Sequence, residues 1–122
     1  MIICSSYQKA RSVDRLGERA VNMFSISRST PAWFKIDGTV REAVPKSWDL
    51  IRGSKDGRIA WEEYRRRYLA DLSSGELVRQ VLEASEDCDD LYLLCWCRDV
   101  SVCHRSIVAD VLRNTGLEVV LE

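Results

Sequence analysis

The chain has 122 residues, and 18 Lys and Arg against 19 Asp and Glu leave a formal charge of −1. With 46% hydrophobic and 30% charged residues, six Gly and two Pro, the composition is that of one globular domain spanning residues 1–122 and excludes a disordered chain. No stretch reaches the ~18 apolar residues of a membrane span, no basic-then-apolar leader opens the chain, and the balanced charge gives no basic excess for duplex nucleic acid. A cytoplasmic protein with neither a membrane nor a duplex partner is expected.

Residues 1–4 form a short apolar first strand, and Ser5-Ser6-Tyr7 a loop after it. Residues 8–20 are mostly charged and give a weak helical signal. A second strand is expected from Ala20 to Ile26, ending at Ser27-Arg28, with Ser29-Thr30-Pro31 as a break. Two turn dipeptides, Asp37-Gly38 and Asp56-Gly57, flank Pro45, so 35–58 is expected to be irregular, anchored by Trp48, Leu50 and Ile51. Trp61, Tyr64, Tyr68 and Leu72 recur at helical spacing. Ser73 to Glu76 is a capping box for a helix whose stripe is Leu77, Val78, Val81 and Leu82. The acidic run 86–90 is expected to be a solvated loop. The seven apolar residues from Leu91 to Cys97 indicate a strand buried on both faces, the habit of parallel sheets covered by helices. A loop from Arg98 to Arg105, a helix carrying Ile107, Val108, Val111 and Leu112, and a strand from Leu117 to Leu121 complete a βαβ unit. The fold class that follows is α/β: a small, mainly parallel sheet covered by helices in a Rossmann-like three-layer arrangement.

There are five cysteines. The odd number and the full-sized core predict reduced thiols rather than a disulfide scaffold. Cys95, Cys97 and Cys103 fall within nine residues, next to the only histidine, His104. In parallel sheets ligands bind outside the carboxyl ends of the strands, and Cys103-His104-Arg105 occupies such a loop at the mouth of a helix. Unpaired N–H groups there favour an anion, and Arg105 adds a planar donor fork. In that field Cys103 should ionise readily and act as nucleophile, with His104 in proton transfer. Arg28, at the end of the second strand, is expected to converge with Arg105 on one anion. Ser5, Tyr7 and Cys95 complete the candidate ligand-binding set.

The spacing excludes a phosphatase-type loop, because Cys103 stands where the arginine six positions after Cys97 would be, and there is no Cys-x-x-Cys or Gly-rich phosphate loop. Four soft ligands lie close in sequence. Structural zinc, however, normally joins two separated pairs, so neither a metal nor another cofactor is expected.

The run Tyr92-Leu93-Leu94-Cys95-Trp96-Cys97 followed by Cys103-His104-Arg105 resembles the C-terminal signature of the domain-of-unknown-function 488 family, in its short phage and bacterial form. Ser25-Ile26-Ser27-Arg28, Pro31, Trp33-Phe34, Trp48-Asp49-Leu50 and Tyr64 to Leu72 resemble its earlier parts. The resemblance implies a compact α/β fold with a pocket around Cys95, Cys103, His104, Arg105 and Arg28. It also implies an acidic residue where this chain has Cys97. Two functions are carried forward: a cofactor-free transferase or hydrolase acting on a small anionic, nucleotide- or nucleoside-like ligand, and a binder that sequesters such a ligand. A metal-stabilised interaction domain is a third alternative, and the oligomeric state is left open.

Overall fold

The computed structural model describes residues 1–122. Five strands, β1 (Ile2–Ser6), β2 (Val21–Ser25), β3 (Gly38–Thr39), β4 (Asp90–Cys95) and β5 (Val119–Leu121), form one sheet in the order β3-β2-β4-β1-β5. Every pairing is parallel; Cys4, for example, lies opposite Leu93 of β4 and Leu121 of β5. β1, and β4 after Asp90, are the strands with uninterrupted apolar or small residues, as befits strands covered on both faces.

Alternation along β4 divides its side chains between two cores. Leu91, Leu93 and Cys95 join the larger one, of 21 buried residues. Over that face pack α2 (Trp48–Lys55), α3 (Trp61–Asp71), α4 (Ser74–Ala84) and α5 (His104–Asn114), through Leu50, Tyr64, Tyr68, Leu77, Val81, Ile107 and Leu112. Leu94 turns the other way, onto Tyr7, Ala10 and Met23 beneath the short helix α1 (Tyr7–Ala10). The three layers are therefore unequal: one face carries four helices, the other one helical turn and the loops that flank β2, through Val13, Phe34 and Ile36. No helix is long and apolar enough to cross a membrane.

Several boundaries depart from the sequence reading. Ser5 and Ser6 belong to β1, and Ser6 caps α1 by accepting from Lys9 N at 3.3 Å. The helical signal of 8–20 is realised only as far as Ala10. The stretch 35–58 is not irregular throughout: it holds β3, a 3₁₀ turn at Arg41–Ala43 and the helix α2, which Ser47 caps by accepting from Leu50 N. With eight residues, and Gly53 and Ser54 inside it, α2 has neither the length nor the propensity to show itself in sequence. β4 ends at Cys95, so Trp96 and Cys97 lie beyond the ladder, and α5 begins at His104 after a 3₁₀ turn at Val100–Val102.

Candidate functional site

β1 leads through α1 towards β2, while its neighbour β4 leads through α5 to β5 on the opposite side. The carboxyl ends of these two strands thus form the switch point at which open α/β sheets bind ligands. Cys95 ends β4 there, Cys97 follows it, and Cys103 is the residue immediately before α5. The three thiol sulfurs lie within 4.8 Å of one another, with Cys95 Sγ and Cys103 Sγ 2.9 Å apart.

Arg105 forms the floor of this cluster. Only 1% exposed, it donates from Nε to the Glu122 main-chain oxygen at 3.0 Å and from Nη1 to the Cys97 carbonyl at 2.6 Å. The same Nη1 lies 3.1 Å from Cys95 Sγ and 3.6 Å from Cys103 Sγ. Among the thiols the proton deficit falls on Cys97. Donation from Cys103 and Cys95, and the charge of Arg105, hold it well below the usual thiol range. Cys103 moves the opposite way, raised by its bonds to Cys95 and Cys97 and by burial. The sequence reading expected the easily ionised thiol at Cys103. The difference arises because Cys103, 1% exposed, gives its proton to neighbouring sulfurs.

His104 packs beside Tyr68 and pairs its Nε2 with the Ile26 carbonyl at 2.7 Å. A carbonyl can only accept, so Nε2 carries the proton and Nδ1 is the basic nitrogen. Burial lowers its pKa below the ordinary histidine value and favours the neutral ring. No buried side-chain nitrogen in the molecule lacks a partner, and Nδ1 has none in the protein. His104 is among the residues that line a cavity.

The cavity, of about 110 Å³, opens above Cys97 and His104. Trp48, Tyr64 and Trp96 supply its aromatic walls, and Arg28 and Lys55 its cations. Beyond Arg28 it adjoins a wider bay of about 590 Å³ to which Arg41 and Lys46 are added. Ser27, Arg28, Ser29 and Pro45 line both, and neither lining contains an Asp or Glu.

A family model, DUF488-N3a, described as the active DUF488-N3 subclade, matches residues 6–116. The chain belongs to the DUF488 family. No curated protein and no solved structure matches it.

Of the residues singled out in sequence, the DUF488 chain brings Cys95, Cys97, Cys103 and Arg105 into one cluster, and Cys97, His104 and Arg28 line the cavity. Arg28 and Arg105 do not converge. Arg28 Nη1 donates to the Pro45 carbonyl at 3.0 Å and its guanidinium lies 4.7 Å over the Trp48 ring, whereas the bonds of Arg105 all point inward. Ser5 is buried, donating to Glu122 Oε1 at 2.7 Å. Tyr7 is buried as well, its hydroxyl 2.7 Å from both Ser25 Oγ and Ser27 Oγ. Sequence reasoning missed Arg41, Lys46 and Lys55, which carry no motif, and read Trp48 and Tyr64 only as packing residues.

The three sulfurs also form a soft donor set of the kind that binds a metal ion. The fit is partial. His104 does not join the three clustered donors as a fourth ligand, and Arg105 already places a positive charge 3.1 Å from Cys95 Sγ.

Proposed function

We propose that the chain binds a small anionic, nucleotide-like ligand above Cys97 and His104, and that it transfers or hydrolyses a group on that ligand without a cofactor. The observation that carries the reading is the charge of the two linings. In a chain of net charge −1 they gather Arg28, Arg41, Lys46 and Lys55 with no carboxylate. Arg28, Arg41 and Lys55 have no ion-pair partner, and only Lys46 is paired, with Glu42 at 3.2 Å. Such a surface favours phosphate or carboxylate.

In this reading Cys103 and Cys95 donate to Cys97, whose thiolate meets the ligand, and the free Nδ1 of His104 takes a proton. The description of the matching family model as active supports turnover. The burial of Cys103 favours the second reading, binding without turnover.

The test is a thermal-shift screen against nucleotides, sugar phosphates and pyrophosphate, combined with iodoacetamide labelling. A ligand at a hundredfold excess over Kd stabilises the fold by about 2.7 kcal/mol. The expected result is a shift that Arg28→Ala removes, with labelling at neutral pH concentrated on Cys97 and slowed by the ligand. Equal shifts in both proteins, or no shift with any anion, would overturn the proposal. Protection of Cys97 without product formation would leave the binding reading.

A further inference from the structure

We infer that the ligand is a nucleoside monophosphate held in two adjoining subsites, with the base in the aromatic slot and the phosphate in the basic bay. The inference rests on the anion-binding reading above and adds the identity of the ligand's parts.

Size sets the first constraint. An apolar cavity of about 150 Å³ accommodates one benzene ring, so a slot of about 110 Å³, open on one side, admits one flat ring system and not a whole nucleotide. Its walls suit stacking. Trp96 is held in place by Nε1 donating to the Ser29 carbonyl at 2.7 Å, and yet remains 46% exposed. Trp48 is 49% exposed, with the Arg28 guanidinium over its ring. A fixed aromatic face left open to solvent can stack on any base.

The bay beyond Arg28 differs in size and chemistry. Its charged side chains are Arg28, Arg41 and Lys46, and its other polar residues include Ser29, Thr30 and Thr39. Lys46 is engaged by Glu42 and the Asp71 carbonyl, and Arg28 by the Pro45 carbonyl through Nη1, which leaves Arg41 and the remaining N–H groups of Arg28 as the available donors. At the neck between slot and bay the Ser29 hydroxyl has no protein partner, and the Thr30 hydroxyl just inside the bay has none. Ring, hydroxyl-lined neck and cationic bay succeed one another in the order base, sugar, phosphate. A polynucleotide would need a second stacking platform in line. Trp33, the other exposed tryptophan with a cation over its face, lies against Arg11 and Phe34 and lines neither cavity.

The test is calorimetry on the full chain at low salt with the four ribonucleoside monophosphates, their nucleosides, ribose 5-phosphate, phosphotyrosine and a short single-stranded RNA. At least one monophosphate is expected to bind about fivefold or more tightly than ribose 5-phosphate through base stacking. Arg41→Ala should weaken monophosphates and ribose 5-phosphate about tenfold through loss of a charged donor, with nucleosides unchanged. Trp48→Leu should abolish the gain from the base and keep ribose 5-phosphate binding, which also shows that this variant is folded. If ribose 5-phosphate binds in an Arg28-dependent way and no base improves it, the two-subsite inference falls and the anion site stands. If no phosphate compound binds, both fall. Phosphotyrosine or RNA binding more tightly than every monophosphate would overturn the assignment of the ligand.

Discussion

Replacing Arg105 by Met separates the structural role of this residue from the ligand-binding role its position in sequence suggests. The substitution keeps most of the buried stem and removes the guanidinium, leaving the Cys97 carbonyl and the Glu122 main-chain oxygen without the donors now at 2.6 and 3.0 Å. Each bond from a charged donor is worth about 1.5–3 kcal/mol, and the two sulfur contacts add little, since sulfur is a weak acceptor. Together the loss is about 3–6 kcal/mol, which for a domain of this size lowers Tm by roughly 10–25 °C. Arg105→Lys retains the charge but not the fork, and should recover about half of the loss. Differential scanning calorimetry gives the Tm, and a phosphate titration well below it gives the affinity. The expected pattern is a large Tm loss with affinity nearly unchanged. A Tm within about 3 °C of the parent, with affinity lost, would refute this reasoning and make Arg105 a direct ligand of the anion.

Stability should also depend on pH through His104, the only histidine. Its folded-state pKa lies below the unfolded value of about 6.5, so its contribution is complete above pH 6.5. It is lost as pH falls towards the folded pKa, by up to about 1.4 kcal/mol per pH unit. Urea unfolding between pH 5 and 7.5 checks this; His104→Gln, whose amide can still donate to Ile26, should flatten the slope, and an equal slope in both proteins would sink the idea. Gly53→Ala should cost about 1–3 kcal/mol by overpacking, because a Cβ at that point of α2 runs into the Ile59 side chain. The midpoint of chemical denaturation measures it, and a neutral result would mean that Ile59 moves aside without cost.

The parts of the fold that could be read in the sequence are those with local causes. The apolar run of β4, the stripes of α3, α4 and α5, and the Ser73 cap each depend on neighbouring residues, and each is present. The same locality explains the misreading of Cys97. Taken as a core strand residue, it lies partly buried at the edge of the core and borders the cavity, because the ladder ends two residues earlier, at Cys95. The cation-lined bay had no local signal, since Arg28 follows β2, Arg41 opens a 3₁₀ turn after β3, and Lys46 precedes α2. Only the fold of 35–58 against the end of β2 brings them together. For Arg105, sequence indicated the helix mouth but not which way the side chain turns from it.

That inward turn bears on the chemistry above it. A guanidinium 1% exposed requires a compensating negative charge, because an unpaired buried ion costs several kcal/mol. No carboxylate side chain forms an ion pair with Arg105. The partners of Arg105 are the Glu122 main-chain oxygen, the Cys97 carbonyl and the sulfurs of Cys95 and Cys103, and its charge helps hold the Cys97 thiol below the usual range. Cys95 and Cys103 are buried, whereas Cys97 borders the cavity, and charge is least costly where solvent or a polar ligand can reach it. In the proposed function, Arg105 and a Cys97 thiolate would form a floor that is neutral overall, so that an anionic ligand would respond to the cations of the rim, Arg28 and Arg41, and meet the thiolate at short range. On the proposed function, one buried arginine would account both for a reactive thiolate at neutral pH and for a site that can still admit an anion beside it.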